Sequence, residues 1–365
     1  QMINSLAHRT TWLRSDFDGW WGHETLPKLN YEESVKLENY ILRIGKKWVS
    51  PPYNVDGWRL DVAADLGMSK EYNHDFWKRF RMAVKSANPQ AIILAEHYGD
   101  PKEWLQGDEW DTVMNYDAFM EPLTWFLTGM EKHSDFSRPD LCDNADYFIN
   151  SITHHMAAMP TPSLMTAMNE LSNHDHSRFL TRTNHMVGRV DQLGHEAAEI
   201  YTNPAIMREA VVMQMTWVGA PTIYYGDEAG VYGFTDPDNR RTYPWGNEDK
   251  EMIAFHKEVI AIHKRYRAFR TGSLKMLTWE EGILAYARFN DRRQFVVIVN
   301  NRSEAATVRV PVWPAEIPMQ GFMRRLIYTY DEGYTTEFEE YIIENGEIVL
   351  NMGKHSAIIL KKREY

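Results

Sequence analysis

The sequence predicts an α/β fold of parallel βαβ units, followed by a smaller antiparallel β-sandwich. Three observations carry this expectation. Up to about residue 270, short apolar runs alternate with amphipathic helical stretches. Beyond it, short apolar runs follow one another, separated by turns such as Asn290-Asp291 and Asn345-Gly346. The chain has 365 residues, 44% of them hydrophobic, which supports a sizeable core in a large domain and a smaller one.

Taken in order, residues 1 to 30 read as irregular, with turn residues and aromatics in S-D-F-D-G-W-W-G-H-E-T-L-P-K-L-N. Asn30 then stands three residues before Glu33, a capping-box spacing for a helix whose apolar stripe is Leu37, Ile41, Ile44 and Trp48. The stretch N-V-D-G-W-R-L-D-V-A (54–63) reads as a strand over 55–62. Side chains two apart share a face, so Trp58, Leu60 and Val62 form an apolar side, while Arg59 and Asp61 share the other with Val55 and Gly57. A helix near 72–87 follows, with Phe76, Phe80 and Val84 on one side. Then come strand-like A-I-I-L-A-E-H-Y, D-T-V-M-N-Y-D and S-L-M-T-A-M-N-E-L-S-N-H-D, a helix near 204–217, and V-G-A-P-T-I-Y-Y-G-D-E. In the last part, I-L-A-Y-A-R-F, Q-F-V-V-I-V-N, T-V-R-V-P-V, E-I-V-L-N-M and S-A-I-I-L read as strands.

Composition excludes several classes. A net charge of −11 argues against nucleic acid as a partner. No apolar run approaches the roughly 20 residues of a membrane-spanning helix. Cys142 is the single cysteine, so no internal disulfide forms and packing is its expected role. H-E-A-A-E (195–199) lacks the second histidine of a zinc-protease helix, and the neighbours in H-D-H (174–176) would face opposite ways on a strand. The acidic run 331–340 reads as a solvated face, and no phosphate-binding G-x-x-x-x-G-K occurs.

Three strand-like stretches end in acid, at Asp61, Glu96 and Asp175. A single strand-end aspartate is usually a cap, and three acids on one rim repel each other. Glycoside hydrolysis is a chemistry that needs such a set, with one carboxylate as nucleophile and one as acid. Arg59 would keep Asp61 ionised, and Glu96 in a less polar pocket would keep its proton.

The motifs V-D-G-W-R-L-D-V-A, I-L-A-E-H-Y-G-D, E-L-S-N-H-D and G-A-P-T-I-Y-Y-G-D-E-A-G, in this order, resemble those of the α-amylase family, glycoside hydrolase family thirteen. L-P-K-L-N (26–30) resembles the neopullulanase and cyclomaltodextrinase branch. The resemblance implies a (β/α)₈ TIM barrel, a C-terminal β-sandwich, and a retaining α-glycosidase acting on α-1,4 and in some members α-1,6 bonds of α-glucans and maltooligosaccharides. By the same resemblance, Asp61 matches the nucleophile, Glu96 the acid/base and Asp175 the third carboxylate. Arg59 matches the arginine beside the nucleophile, and His174 a histidine that binds the same sugar. Asp236 and Arg240 match an acid–arginine pair that grips the substrate. Trp20 and Trp21, placed by position and composition, are expected to stack on sugar. No cofactor is implied for the chemistry. Structural calcium occurs in relatives, but no residues here fix its ligands.

The family's earlier Asp-x-x-x-Asn-His motif is not found. The expectation is therefore a C-terminal portion of the barrel, about strands 4–8. Residues 1–30 would end a loop domain, 31–270 would be barrel and 271–365 the sandwich. Such a portion would associate with the missing N-terminal part or form a homodimer. The compartment stays open, cytoplasmic or secreted. The rival reading is a non-catalytic glucan-binding or partner-subunit fragment.

Overall fold

Capping and burial decide where elements begin in the computed structural model, which describes residues 17–364. The chain divides into two compact units, Gln1–Met114 with Ala158–Leu164, and Asn115–Ala157 with Met165–Tyr365.

In the first unit, helix α1 (Val35–Trp48) starts later than the Asn30–Glu33 spacing suggests. The Ser34 side chain accepts from Leu37 N and is the cap. Asn30 does bond Glu33 twice, through Glu33 N at 3.1 Å and its carboxylate at 3.0 Å, but this closes a turn ahead of the helix. Glu32 lies within that turn, and its carboxylate accepts from Met68 N, Ser69 N and Ser69 Oγ. Helix α2 (Lys70–Ala87) begins next to it, capped by Ser69, and buries Phe76, Phe80 and Val84 as expected.

Three parallel strands, β1 (Gly57–Leu60), β2 (Ile92–Ala95) and β3 (Thr112–Val113), pair in the order β1-β2-β3. Strand β1 is shorter than 55–62 because Val62 takes a left-handed conformation, φ 42°, which ends the alternation. Gly57 pairs with Ile92, and a Cβ there would lie 2.2 Å from the Ile92 carbonyl oxygen. Trp58 turns to the helices as its face predicts, edge-on to Phe80 and donating from Nε1 to Gly45 O.

The second unit holds two further parallel strands, β4 (Met168–Glu170) and β5 (Ala220–Thr222), which brings the parallel strands described to five. Helices α3 (Glu121–Thr128), α4 (Ala145–Ala157) and α5 (Pro204–Thr216) lie in this unit, with α6 (Lys250–Arg265) after β5. The antiparallel part begins at Ser273, close to the expected change of character.

Its larger sheet runs β11 (Gly333–Thr335), β10 (Gly321–Tyr330), β14 (Ser356–Lys362), β8 (Gln294–Asn300), β7 (Ile283–Phe289) and β6 (Ser273–Glu280), with β12 (Glu340–Ile343) also on β10. Strands β9 (Ala306–Pro311) and β13 (Glu347–Met352) make a second sheet. Ala285, Val296, Ile298, Val308, Ile348 and Ile358 share one apolar core, as a sandwich requires. No helix among the described residues is long and apolar enough to cross a membrane.

Helix α5 is buried on all sides and is tied to the antiparallel part by Thr216 Oγ1 to Tyr286 OH at 2.7 Å and by Arg208 to the Tyr330 and Asp331 carbonyls. Within it Glu209 is fully buried, and neither carboxylate oxygen has a hydrogen-bond partner among the described residues. Burial, and then the carboxyl of Asp143, push it well above the ordinary carboxylate range. A raised folded value means that its contribution is fully present below the unfolded value and is lost as pH rises through the folded one. Glu209→Gln should therefore gain stability relative to the parent as pH rises above the ordinary carboxylate range, compared at about pH 5 and about pH 8. Denaturation at both pH values measures this. Curves that stay parallel would show that Glu209 does not titrate in that window.

Candidate active site

In the first unit, parallel pairing sets the chemistry. Leu60 pairs with Ala95, so the next residues, Asp61 and Glu96, leave neighbouring strands side by side. Glu96 N donates to Leu60 O at 2.8 Å, which extends the ladder by one bond. Arg59 bridges both acids. Its NH1 bonds Asp61 Oδ1, and its NH2 lies 3.1 Å from Glu96 Oε2. Glu96 Oε2 also accepts from Val62 N at 3.0 Å. Glu96 is buried, whereas the Asp61 side chain is 76% exposed. The acid is thus held, and the nucleophile candidate is open to approach.

A cleft of about 630 Å³ lies beside Asp61, with Trp20, Tyr31 and the Leu26–Leu29 segment on its walls. Lys28 fastens that segment, lying 3.5 Å from Asp65 and 3.6 Å from Asp18. Trp20 therefore lines the same cleft as Asp61. Trp21 stacks on Trp20 at 5.4 Å between centroids but is 73% exposed and is not part of the cleft wall.

In the second unit, Asp175 does not end a strand. Strand β4 stops at Glu170, and Asp175 stands in the loop after it. Asn173 shapes this loop and is nearly fully buried. Its Oδ1 accepts from Asp175 N at 2.9 Å and His176 N at 3.0 Å, while its Nδ2 donates to Glu170 Oε1 at 2.6 Å and Tyr116 OH at 3.3 Å. Asn239 locks the loop from the other side, donating to the Asn173 and His176 carbonyls.

The loop gathers all four residues expected of this unit. His174 Nε2 lies 3.5 Å from Asp175 Oδ2, so these two neighbours meet, contrary to the opposite-facing expectation for a strand. Arg240 lies 3.6 Å from Asp175 and 2.9 Å from Asp236, and its Nε donates to His174 O. His176, by contrast, is fully buried, edge-on to Tyr116 and His133, and burial holds its pKa well below the ordinary histidine value. It packs against these two rings.

The sequence reading missed the supports. Arg178 is fully buried, bonds Asp227 at 3.0 Å and lies 4.0 Å from the Tyr224 ring centroid. Asn173, inside the S-N-H-D motif, carries no catalytic signature that would reveal its part in shaping the loop. Among the described residues, no group of three or more His, Cys, Asp or Glu side chains is placed to hold a metal ion. Cys142 is a free thiol that burial pushes up to about 12.

Residues 7–340 match the family described as alpha amylase, catalytic domain. The chain belongs to that family. It is 31% identical, over 98% of its length, to an amylopullulanase of Thermoanaerobacterium saccharolyticum, of which it covers 28%. It is 33% identical to a cyclomaltodextrinase of a Bacillus species, over 78% of this chain and 45% of that protein. Identity is also 33% to neopullulanase 2 of Thermoactinomyces vulgaris, over 79% and 43%. The chain thus spans less than half the length of these relatives. Among solved structures, a debranching enzyme from Nostoc punctiforme superposes with a TM-score of 0.74 at 27% identity, covering 94% of this chain and 65% of that one. A cyclomaltodextrinase gives a TM-score of 0.76 at 27% identity, covering 95% and 52%. Family membership and the C-terminal antiparallel sheets agree with the resemblance drawn from the motifs.

The hub role of Asn173 predicts that Asn173→Ala, which removes the acceptor of one buried and one part-buried backbone donor, lowers stability by about 2–3 kcal/mol. Chemical denaturation checks this; a loss under about 0.5 kcal/mol would mean that the loop holds without it.

Proposed function

We propose that this α-amylase family chain carries the machinery of a retaining α-glycosidase that cleaves α-1,4, and in branched substrates α-1,6, glucosidic bonds. The observation that carries the proposal is the single guanidinium of Arg59 joined to both Asp61 and Glu96. A cation touching both carboxylates ties them at short range. That suits the about 5–5.5 Å spacing of retaining glycosidases better than the about 6.5–9.5 Å of inverting ones.

The roles follow from accessibility. Asp61, exposed beside the cleft, attacks the anomeric carbon and forms the glycosyl-enzyme. Glu96, fixed by Arg59 and Val62 N, protonates the leaving oxygen and then takes a proton from the attacking water. Trp20 offers a flat apolar face to a glucosyl ring in the cleft. In the second unit, His174, Asp175, Asp236 and Arg240 form a polar cluster suited to sugar hydroxyls, with Asp175 as the third carboxylate. The names of the relatives, amylopullulanase, cyclomaltodextrinase and neopullulanase, support an α-glucan substrate.

Proton NMR of the anomeric region during maltoheptaose cleavage tests this. The α-anomer should appear first, and Asp61→Asn should cut turnover by at least about 10³-fold with the fold kept. First appearance of the β-anomer, or parental turnover by Asp61→Asn, would overturn the assignment. Arg59→Lys should also cost at least about 100-fold in kcat/KM, because an ammonium keeps the charge but loses the planar fork that reaches both acids. Activity within a few-fold of the parent would show that the bridge is dispensable.

A further inference from the structure

The antiparallel part of the second unit carries a charge pattern opposite to that of the chain. Two adjoining clefts open there, of about 490 Å³ and about 680 Å³. The first carries Arg265, Arg324, Lys361, Lys362 and Arg363. The second shares Arg265 and Lys361 and adds Arg267, Arg292 and Arg293. Against these eight cations stand three acids, Asp291, Glu340 and Glu364. The whole chain has 40 Lys and Arg to 51 Asp and Glu, so the local excess is a reversal and not a sample of the general surface.

Internal pairing does not neutralise it. Glu364 serves both Arg293 and Lys361, and Glu340 serves Arg363. Asp291 is 4.0 Å from Arg292. Arg265, Arg267, Arg324 and Lys362 have no ion pair among the described residues. Like charges gathered on concave walls focus a positive potential.

Two rings stand among the cations. Arg265 and Lys361 lie 5.4 and 5.5 Å from the Tyr266 centroid, and Arg324 lies 5.1 Å from that of Phe338, which is 64% exposed. A small free anion has no use for the rings, and a neutral glucan has none for the cations. Flat apolar faces beside arginine forks suit a ligand with both features.

We propose that these clefts bind an α-glucan carrying phosphate monoester groups, with the arginines on the phosphates and Phe338 and Tyr266 against sugar faces. The glucan part of this assignment rests on the function proposed above; the phosphate part does not.

Equilibrium binding tests it, measured on Asp61→Asn so that the glucan stays intact. Phosphorylated amylopectin should bind at least about 10-fold more tightly than the same glucan after enzymatic dephosphorylation. The difference should vanish in Arg265→Glu/Arg324→Glu, and for the unsubstituted clefts in about 0.5 M salt, a condition that needs no variant to fold. Tripolyphosphate should displace the glucan. Equal binding of the two glucans, binding that survives charge reversal, or equal displacement by polyglutamate would each overturn the proposal. Arg265→Glu/Arg324→Glu should keep parental maltoheptaose turnover. A parent that does not cleave maltoheptaose, yet prefers the phosphorylated glucan, would fail the proposed function and leave this site standing.

Discussion

Arg59 is the interaction on which the first unit's chemistry depends. The Leu60–Ala95 pairing forces two carboxylates to emerge together. Keeping one carboxylate ionised beside a second carboxyl group is unfavourable, and one guanidinium in contact with both offsets it. The offset is smaller on the Asp61 side, which faces water. The strand itself is adapted to this. Val62 takes a left-handed backbone that a β-branched residue adopts at a cost of order 1–3 kcal/mol, and its N–H donates to Glu96.

The second unit solves a similar problem without a strand. Its acid sits on a loop, where backbone groups have no ladder to join. The Asn173 side chain takes over that work by accepting two N–H groups and donating to Glu170 and Tyr116. Asn239 and Thr235 satisfy the carbonyls that remain, including that of Asp175. The loop is therefore held by buried side chains, while Asp175, His174 and Arg240 stay accessible.

What was legible in the sequence follows from this contrast. Period-two alternation located β1 and a short apolar run located β2, with Asp61 and Glu96 read as strand ends; the ladder stops one residue earlier, at Leu60 and Ala95. The same pattern misplaced Asp175 as a strand end, because a side-chain hub three residues beyond the ladder, at Asn173, leaves no periodic trace. It also missed β10. The buried face of that strand runs through Met323, Arg325, Ile327 and Thr329, and a buried arginine bonded to the Glu337 carbonyl and paired with Glu339 does not read as core. The helix start at Ser34 was misjudged for a related reason. Asn30 and Glu33 make their local bonds, but Glu32 between them is held by the start of α2, a contact between residues 36 and 37 apart in sequence.

The same reasoning separates the two kinds of charge in the molecule. Arg178 and Asp227 are buried as a pair, and removing either partner would strand a charge away from water, so they constrain each other and the loops they join. Arg265 and Arg324 are exposed and unpaired among the described residues, so their replacement threatens little of the fold. Charges of the first kind report on architecture even where they lie close to the proposed chemistry. Charges of the second kind are cheap to lose. Their concentration on one wall of an otherwise acidic chain therefore calls for a ligand outside the fold, whereas Arg178 needs none.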